Sequence, residues 1–170
     1  MLLVFLGNPG SRYKLSRHNF GFMFADYLES RIGKILWNNK FKGEWSKVEI
    51  NSKQHFFLKP QTFMNKSGES VQAMMAFFKI GINEIIVIHD DIETGFEDVV
   101  FKKGGGLAGH NGLRSISKVL GTNDYMRLKL GTGRPSKGDV SSFVLGNFND
   151  DEQIVLPVVF DKAFNLLKDF

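Results

Sequence analysis

Two apolar runs that stop at polar residues constrain this chain more than any other feature. Residues 2–6 are uninterruptedly apolar and end at a Gly-Asn-Pro-Gly turn, and "EIIVIHDD" (residues 84–91) ends in one histidine and two aspartates. A short apolar run bounded by such residues is the pattern of a strand buried on both faces. Helical spacing follows the first run, at Phe20, Met23, Phe24, Tyr27, Leu28 and Ile32, with Asn19 where an N-cap would stand. Strands are expected over 47–50 and 55–59, with a turn at Asn51 and Ser52. The loop "KPQTFMNKSGES" then leads into a helix over 71–78. Beyond the second run come a strand over 99–102, the glycine-rich "GGGLAGHNG", a helix over 113–120 and a strand over 125–130. The amphipathic tail from Asp151 is expected to turn helical after Pro157. Strands alternating with helices predict an α/β fold: a three-layer sandwich with a mixed, largely parallel twisted sheet flanked by helices. A length of 170 residues suits a single domain over 1–170.

Composition narrows the function classes. With no cysteine there are no disulfides, thiolate metal sites or cysteine nucleophiles. No segment approaches the ~18 consecutive apolar residues that a membrane-spanning helix needs. The N-terminal apolar run lacks a basic region before it and stops at a turn, which fits a strand rather than a signal peptide. A cytoplasmic protein is expected. A net charge of +4 allows a polyanionic partner without naming one.

In open α/β sheets ligands gather beyond the carboxyl ends of strands, so the polar residues there carry the chemistry. The first buried run leads to Asn8 and His18, the second to His89, Asp90 and Asp91. If the two strands are parallel neighbours, a carboxylate from one reaches the imidazole from the other. It would hold one tautomer of His18 and leave the second nitrogen free to take a proton from water. The competing reading makes His18 or Asn19 a helix cap and the two aspartates solvated loop acids. A metal held by His89, Asp90 and Asp91 is disfavoured, because adjacent residues on an extended backbone point to opposite sides. There is no G-x-S-x-G elbow, no H-E-x-x-H and no P-loop.

Gly104, Gly106 and Gly109 satisfy G-x-G-x-x-G, and Asp124 stands twenty residues past Gly104, so a dinucleotide site is a second reading. Backbone amides of a glycine run beside Lys102 and Lys103 would equally serve a phosphate, and a plain flexible loop is a third reading. Asn8, Asn65 and Asn111 each stand in a turn or at a helix start. Each carboxamide suits either substrate holding or ordinary turn chemistry.

Taken together, the segments "LGNPGSRYKLSRHNFG", "KPQTFMNKSGES", "IVIHDD", "GGGLAGHNGL", "RLKLGTGRP" and "FVLG" resemble the bacterial-type peptidyl-tRNA hydrolases, in family order from residue 2 to about residue 148. The resemblance implies hydrolysis of the ester between a peptidyl group and tRNA, without metal or cofactor. His18 would be the general base and Asp90 the carboxylate that orients it. Asn8 would help tell a blocked amine from a free one. Tyr13, Phe63, Asn65 and Asn111 would line the site for the peptidyl-adenosine end, with Asn65 and Asn111 also placing substrate and water. A monomer is implied. The basic residues Lys102, Lys103, Arg114, Arg127, Lys129 and Arg134 then offer contacts to tRNA phosphates. Two departures stand out: Val100 where many relatives carry lysine, and Lys129 where arginine is common. The loop "DDIETGFED" is unusually acidic, and any C-terminal lid helix is expected to be abbreviated. The rival classes are a non-catalytic RNA-binding module and a dinucleotide-dependent oxidoreductase.

Overall fold

The computed structural model describes residues 1–168. Its strands are β1 (Leu2–Phe5), β2 (Asn38–Lys40), β3 (Gly43–Ile50), β4 (Lys53–Pro60), β5 (Ile85–Asp91), β6 (Val99–Lys103) and β7 (Met126–Gly131). They form one sheet in the order β2-β3-β4-β1-β5-β7-β6. β1 runs parallel to β4 on one side and to β5 on the other, and β7 runs parallel to β5. The flanking strands β2, β3 and β6 pair antiparallel, so the sheet is mixed with a parallel centre. Every residue of β1 and β5 is buried, as expected for runs covered on both faces.

The helices are α1 (Phe20–Ile32), α2 (Ser67–Phe78), α3 (Asn111–Leu120), α4 (Val140–Leu145) and α5 (Asp150–Leu167). Strand alternation divides the core in two. Leu3 and Phe5 pack with Phe24 and Leu28 of α1 and with Val159 and Phe160 of α5. Leu2, Val4 and Leu6 pack with Val71 and Met74 of α2 and with Leu113 and Ile116 of α3. Each such side chain contributes roughly 1.5–3 kcal/mol on full burial. β3 and β4 join through Asn51 and Ser52, both left-handed at φ 51° and 61°, the two-residue turn whose twist matches a hairpin.

Three elements depart from expectation. α5 starts at Asp150, ahead of Pro157, because Asn149 and Glu152 form a reciprocal capping box that nucleates it. Burial of Leu156, Val159, Phe160 and Ala163 then carries the helix through the proline. β2 is an exposed three-residue edge strand with no apolar alternation to announce it. α4 has one buried side chain, Val144, and no helical stripe long enough to read.

One close approach fixes the site. A Cβ at Gly21 would lie 2.6 Å from both the amide nitrogen and the carbonyl oxygen of Leu6, and 2.8 Å from the carbonyl oxygen of Ile88. The first turn of α1 therefore sits directly on the backbone where β1 ends beside Ile88 of β5, which only glycine allows.

Candidate active site

The adjacent carboxyl ends of β1 and β5 open into a cavity of about 520 Å³. Asn8, His18, Phe63, Asn65, Asp90 and Asn111 all line it. His18 lies in a buried 3-10 turn, Arg17–Asn19, just before α1. Its Nδ1 is 3.0 Å from Oδ1 and 2.9 Å from Oδ2 of Asp90. Nδ1–H therefore donates to the carboxylate, and Nε2 is left as the nitrogen able to accept.

A second imidazole reaches the same acid. His110 Nε2 lies 3.0 Å from Asp90 Oδ1. His110 is also the N-cap of α3, where its Nδ1 accepts from the amides of Gly112 and Leu113 at 3.1 and 3.4 Å. Two backbone donors on Nδ1 require the proton on Nε2, so His110 donates to Asp90 as a neutral ring. The sequence reading did not single out His110. Its signal was there, a histidine beside Asn111 in the glycine-rich loop that faces the acidic strand end.

Electrostatics follow from this geometry. Burial pulls the His18 pKa down, but the charge and hydrogen bond of Asp90 more than offset it, leaving it raised from 6.5. Burial alone would raise the Asp90 carboxyl, yet the charge of His18 and the hydrogen bonds from His110 and His18 hold it well below the usual carboxylate range. His89, the residue before, faces elsewhere: its Nδ1 donates to the carbonyl of Asp90 at 2.7 Å. Burial lowers it to about 3.

Asn19 stands at the cap position of α1 but its carboxamide caps nothing. Instead it accepts from the Asn8 amide at 2.8 Å and donates to the Asn8 carbonyl at 3.0 Å, fixing the turn after β1. The capping expectation for Asn19 is thus corrected, since its amide pairs better with the strand-end backbone. Asn8 Oδ1 in turn accepts from the Met64 amide at 2.8 Å, which leaves the Asn8 NH2 as the free polar end. Phe63 is held at φ 58°, ψ 157°, a conformation bulky residues avoid, and the residue, 54% exposed, lines the cavity.

The other expected residues lie apart. Tyr13 sits in an outer 3-10 turn, Ser11–Tyr13, stacked under Arg12, and is not among the residues lining the cavity. Arg127 is fully buried and its guanidinium donates to the carbonyls of Gly105, Gly106 and Asn123. Lys129 is 8% exposed and pairs with Asp91 at 2.9 Å. Both are corrected as phosphate contacts, because each cation is already consumed inside the fold. Lys102 and Lys103 are exposed, with Lys103 paired to Asp124 at 3.3 Å. Arg134 lines the cavity mouth and pairs with Glu93. Gly104 to Gly109 follow β6, an antiparallel strand, so the parallel strand-to-helix setting of a dinucleotide site is missing.

The only cluster of metal-type donors among the described residues is His18, Asp90 and His110, with ligand atoms within 4.8 Å of one another. A metal on His110 Nε2 would require that nitrogen's lone pair and so a proton on Nδ1, where two backbone amides already donate. The donor set therefore fits hydrogen bonding better than metal ligation. No helix among the described residues is long and apolar enough to cross a membrane.

The chain is similar to known proteins in both sequence and fold. The family described as peptidyl-tRNA hydrolase matches residues 2–170. A peptidyl-tRNA hydrolase of Bdellovibrio bacteriovorus is 46% identical over 164 residues, covering 95% of this chain and 88% of the relative. One from Lactobacillus johnsonii is 43% identical over 169 residues, 99% of this chain and 91% of the relative. The crystal structure of peptidyl-tRNA hydrolase from Acinetobacter baumannii superposes with a TM-score of 0.89 at 36% identity, covering 99% of this chain and 88% of that one. A peptidyl-tRNA hydrolase crystallised with N-propanol gives a TM-score of 0.91 at 37% identity over 98% of this chain and 86% of that one.

Proposed function

The chain belongs to the peptidyl-tRNA hydrolase family, and from that premise we propose that His18 activates the water that opens the ester of a peptidyl-tRNA, with no metal ion taking part. The observation that carries this reading is the bond from His18 Nδ1 to both oxygens of a buried Asp90, on the wall of an open cavity. Asp90 holds the tautomer in which Nε2 accepts a proton from water as the oxygen attacks the ester carbonyl. The imidazolium that forms is stabilised by the same carboxylate. It then returns the proton to the departing ribose oxygen, so that free tRNA and an N-blocked peptide or amino acid leave.

Amide donors supply the rest. The NH2 ends of Asn8, Asn65 and Asn111 suit the developing oxyanion and the peptide carbonyl. A free aminoacyl ammonium would meet the Asn8 NH2 donor to donor, whereas a peptide carbonyl accepts from it, which favours the blocked substrate. Exposed Phe63 offers a face for the terminal adenine. The exposed Lys102 and Lys103 suit tRNA phosphates, and the protein would act as a cytoplasmic monomer.

The test is turnover of N-acetylaminoacyl-tRNA by chelator-treated protein. Wild type should release the blocked amino acid, and His18→Ala should lose about 10²–10⁴-fold in kcat while still binding tRNA. Unchanged turnover by His18→Ala would refute the base, and loss of wild-type activity on chelation would refute metal independence.

A further inference from the structure

α4 forms part of the cavity wall, with Val140, Val144 and Leu145 on the cavity, and packs against the turn that carries His18. Six residues with one buried side chain do not hold a helix in place by themselves. Asp139 caps its first turn, and what holds its C-terminal end is Arg17, the residue before His18. Arg17 Nη1 donates to the carbonyl of Asn147 at 2.9 Å and to those of Phe143 and Gly146 at 3.4 Å. Phe143 lies in the last turn of α4, where its carbonyl also accepts from the Gly146 amide at 3.2 Å, and Gly146 and Asn147 are the residues that follow the helix. Nη2 meets Glu152 Oε2 at 2.6 Å, tying in the first turn of α5. The guanidinium also lies 4.3 Å from the ring centroid of Phe143 and 5.4 Å from that of Phe148. The backbone repeats the tie, through Arg17 N to Gly146 O and Phe148 N to Leu15 O, both 3.0 Å.

Arg17 is 9% exposed and is not among the residues lining the cavity. Building on the hydrolase reading, we propose that Arg17 is a positioning residue: by pinning the end of α4 to the turn that carries His18, it sets the gap in which the peptidyl group lies. It acts through α4 and not through the base, because His18 is held separately by Asp90 and by the Asn19–Asn8 pairing. Its loss therefore weakens the seating of an apolar peptidyl side chain and spares the proton transfer.

The experiment measures kcat and KM on N-acetylphenylalanyl-tRNA and N-acetylglycyl-tRNA for wild type, Arg17→Gln, Arg17→Lys and Glu152→Gln, together with amide exchange across α4. In Arg17→Gln, KM for the phenylalanyl substrate should rise about tenfold, the glycyl substrate should change less, and kcat should stay within about twofold. Arg17→Lys keeps the charge but not the planar fork, so it should lie between, at about threefold in KM. Glu152→Gln keeps the capping box and removes only the charge facing Arg17, giving a smaller rise of the same kind. Amides of α4 should exchange at least about tenfold faster in Arg17→Gln, with β5 unchanged.

Wild-type turnover is the separate check on the hydrolase reading, and the exchange measurement does not depend on it. The positioning role is overturned if α4 stays as protected in Arg17→Gln as in wild type. It is equally overturned if kcat falls with KM unchanged, or if the pH dependence of kcat moves.

Discussion

His110 donates to the same Asp90 oxygen that lies 3.0 Å from His18 Nδ1, and the backbone amides it caps leave it no other tautomer. Asp90 thus divides one negative charge between two rings. Removing His110 concentrates that charge on His18. His110→Ala should make His18 more basic, moving the acid limb of the kcat/KM profile to higher pH. It should also cost about 1 kcal/mol of stability through the lost cap. A pH–rate profile identical to wild type would show that His110 serves the helix alone.

Activity should fall on the acid side with an inflection above 6.5, since the His18 pKa is raised and the base works unprotonated. Asp90 remains ionised throughout, because its pKa is depressed. Asp90→Asn offers an amide NH2 to Nδ1 and favours the wrong tautomer, so kcat should drop on the order of 10³–10⁴-fold. Rates across the pH range for both proteins provide the comparison.

Stability responds to pH through a different histidine. The folded pKa of His89 is about 3, below its unfolded value of 6.5, so its contribution is present above 6.5 and lost as pH falls through 3. The slope should approach ~1.4 kcal/mol per pH unit in that window. His18 has the opposite sign: its raised pKa stabilises the fold fully below 6.5, and that contribution fades as pH rises through the folded value. Urea unfolding between pH 4 and pH 6 should show a shallower loss for His89→Phe, and equal slopes would exclude His89 as the source.

Lys129 and Asp91 are each buried and meet at 2.9 Å. Lys129→Met strands a buried carboxylate and should cost about 3–5 kcal/mol, much of it restored by adding Asp91→Asn. Neither change should alter the salt dependence of tRNA binding. Lys102→Ala, at an exposed position, should reduce that slope by about 1. A lower slope for Lys129→Met would return that lysine to the phosphate interface.

The parallel centre of the sheet was legible because β1 and β5 are buried on both faces and read as continuous apolar runs. The pairing of strand-end residues was legible because such runs must end in polar loops on one side of the sheet. What escaped was set by partners distant in sequence. Arg127 and Lys129 look like surface cations until the carbonyls of Gly105 and Gly106 and the carboxylate of Asp91 are seen around them. Asn19 occupies a cap position, but Asn8 claims its carboxamide. α4 was unreadable because its C-terminal end is held by Arg17, more than a hundred residues earlier.

The missing side chain at Gly21 has a consequence for variation in this protein. Position 21 has no functional group, yet even one methyl would need space already filled by Leu6 and Ile88 backbone. The helix would have to lift, and the turn ahead of it, bearing the imidazole, would lift too. Variation at this silent position would therefore resemble an active-site lesion in its kinetics. A screen that scored residues only by their chemistry would overlook it.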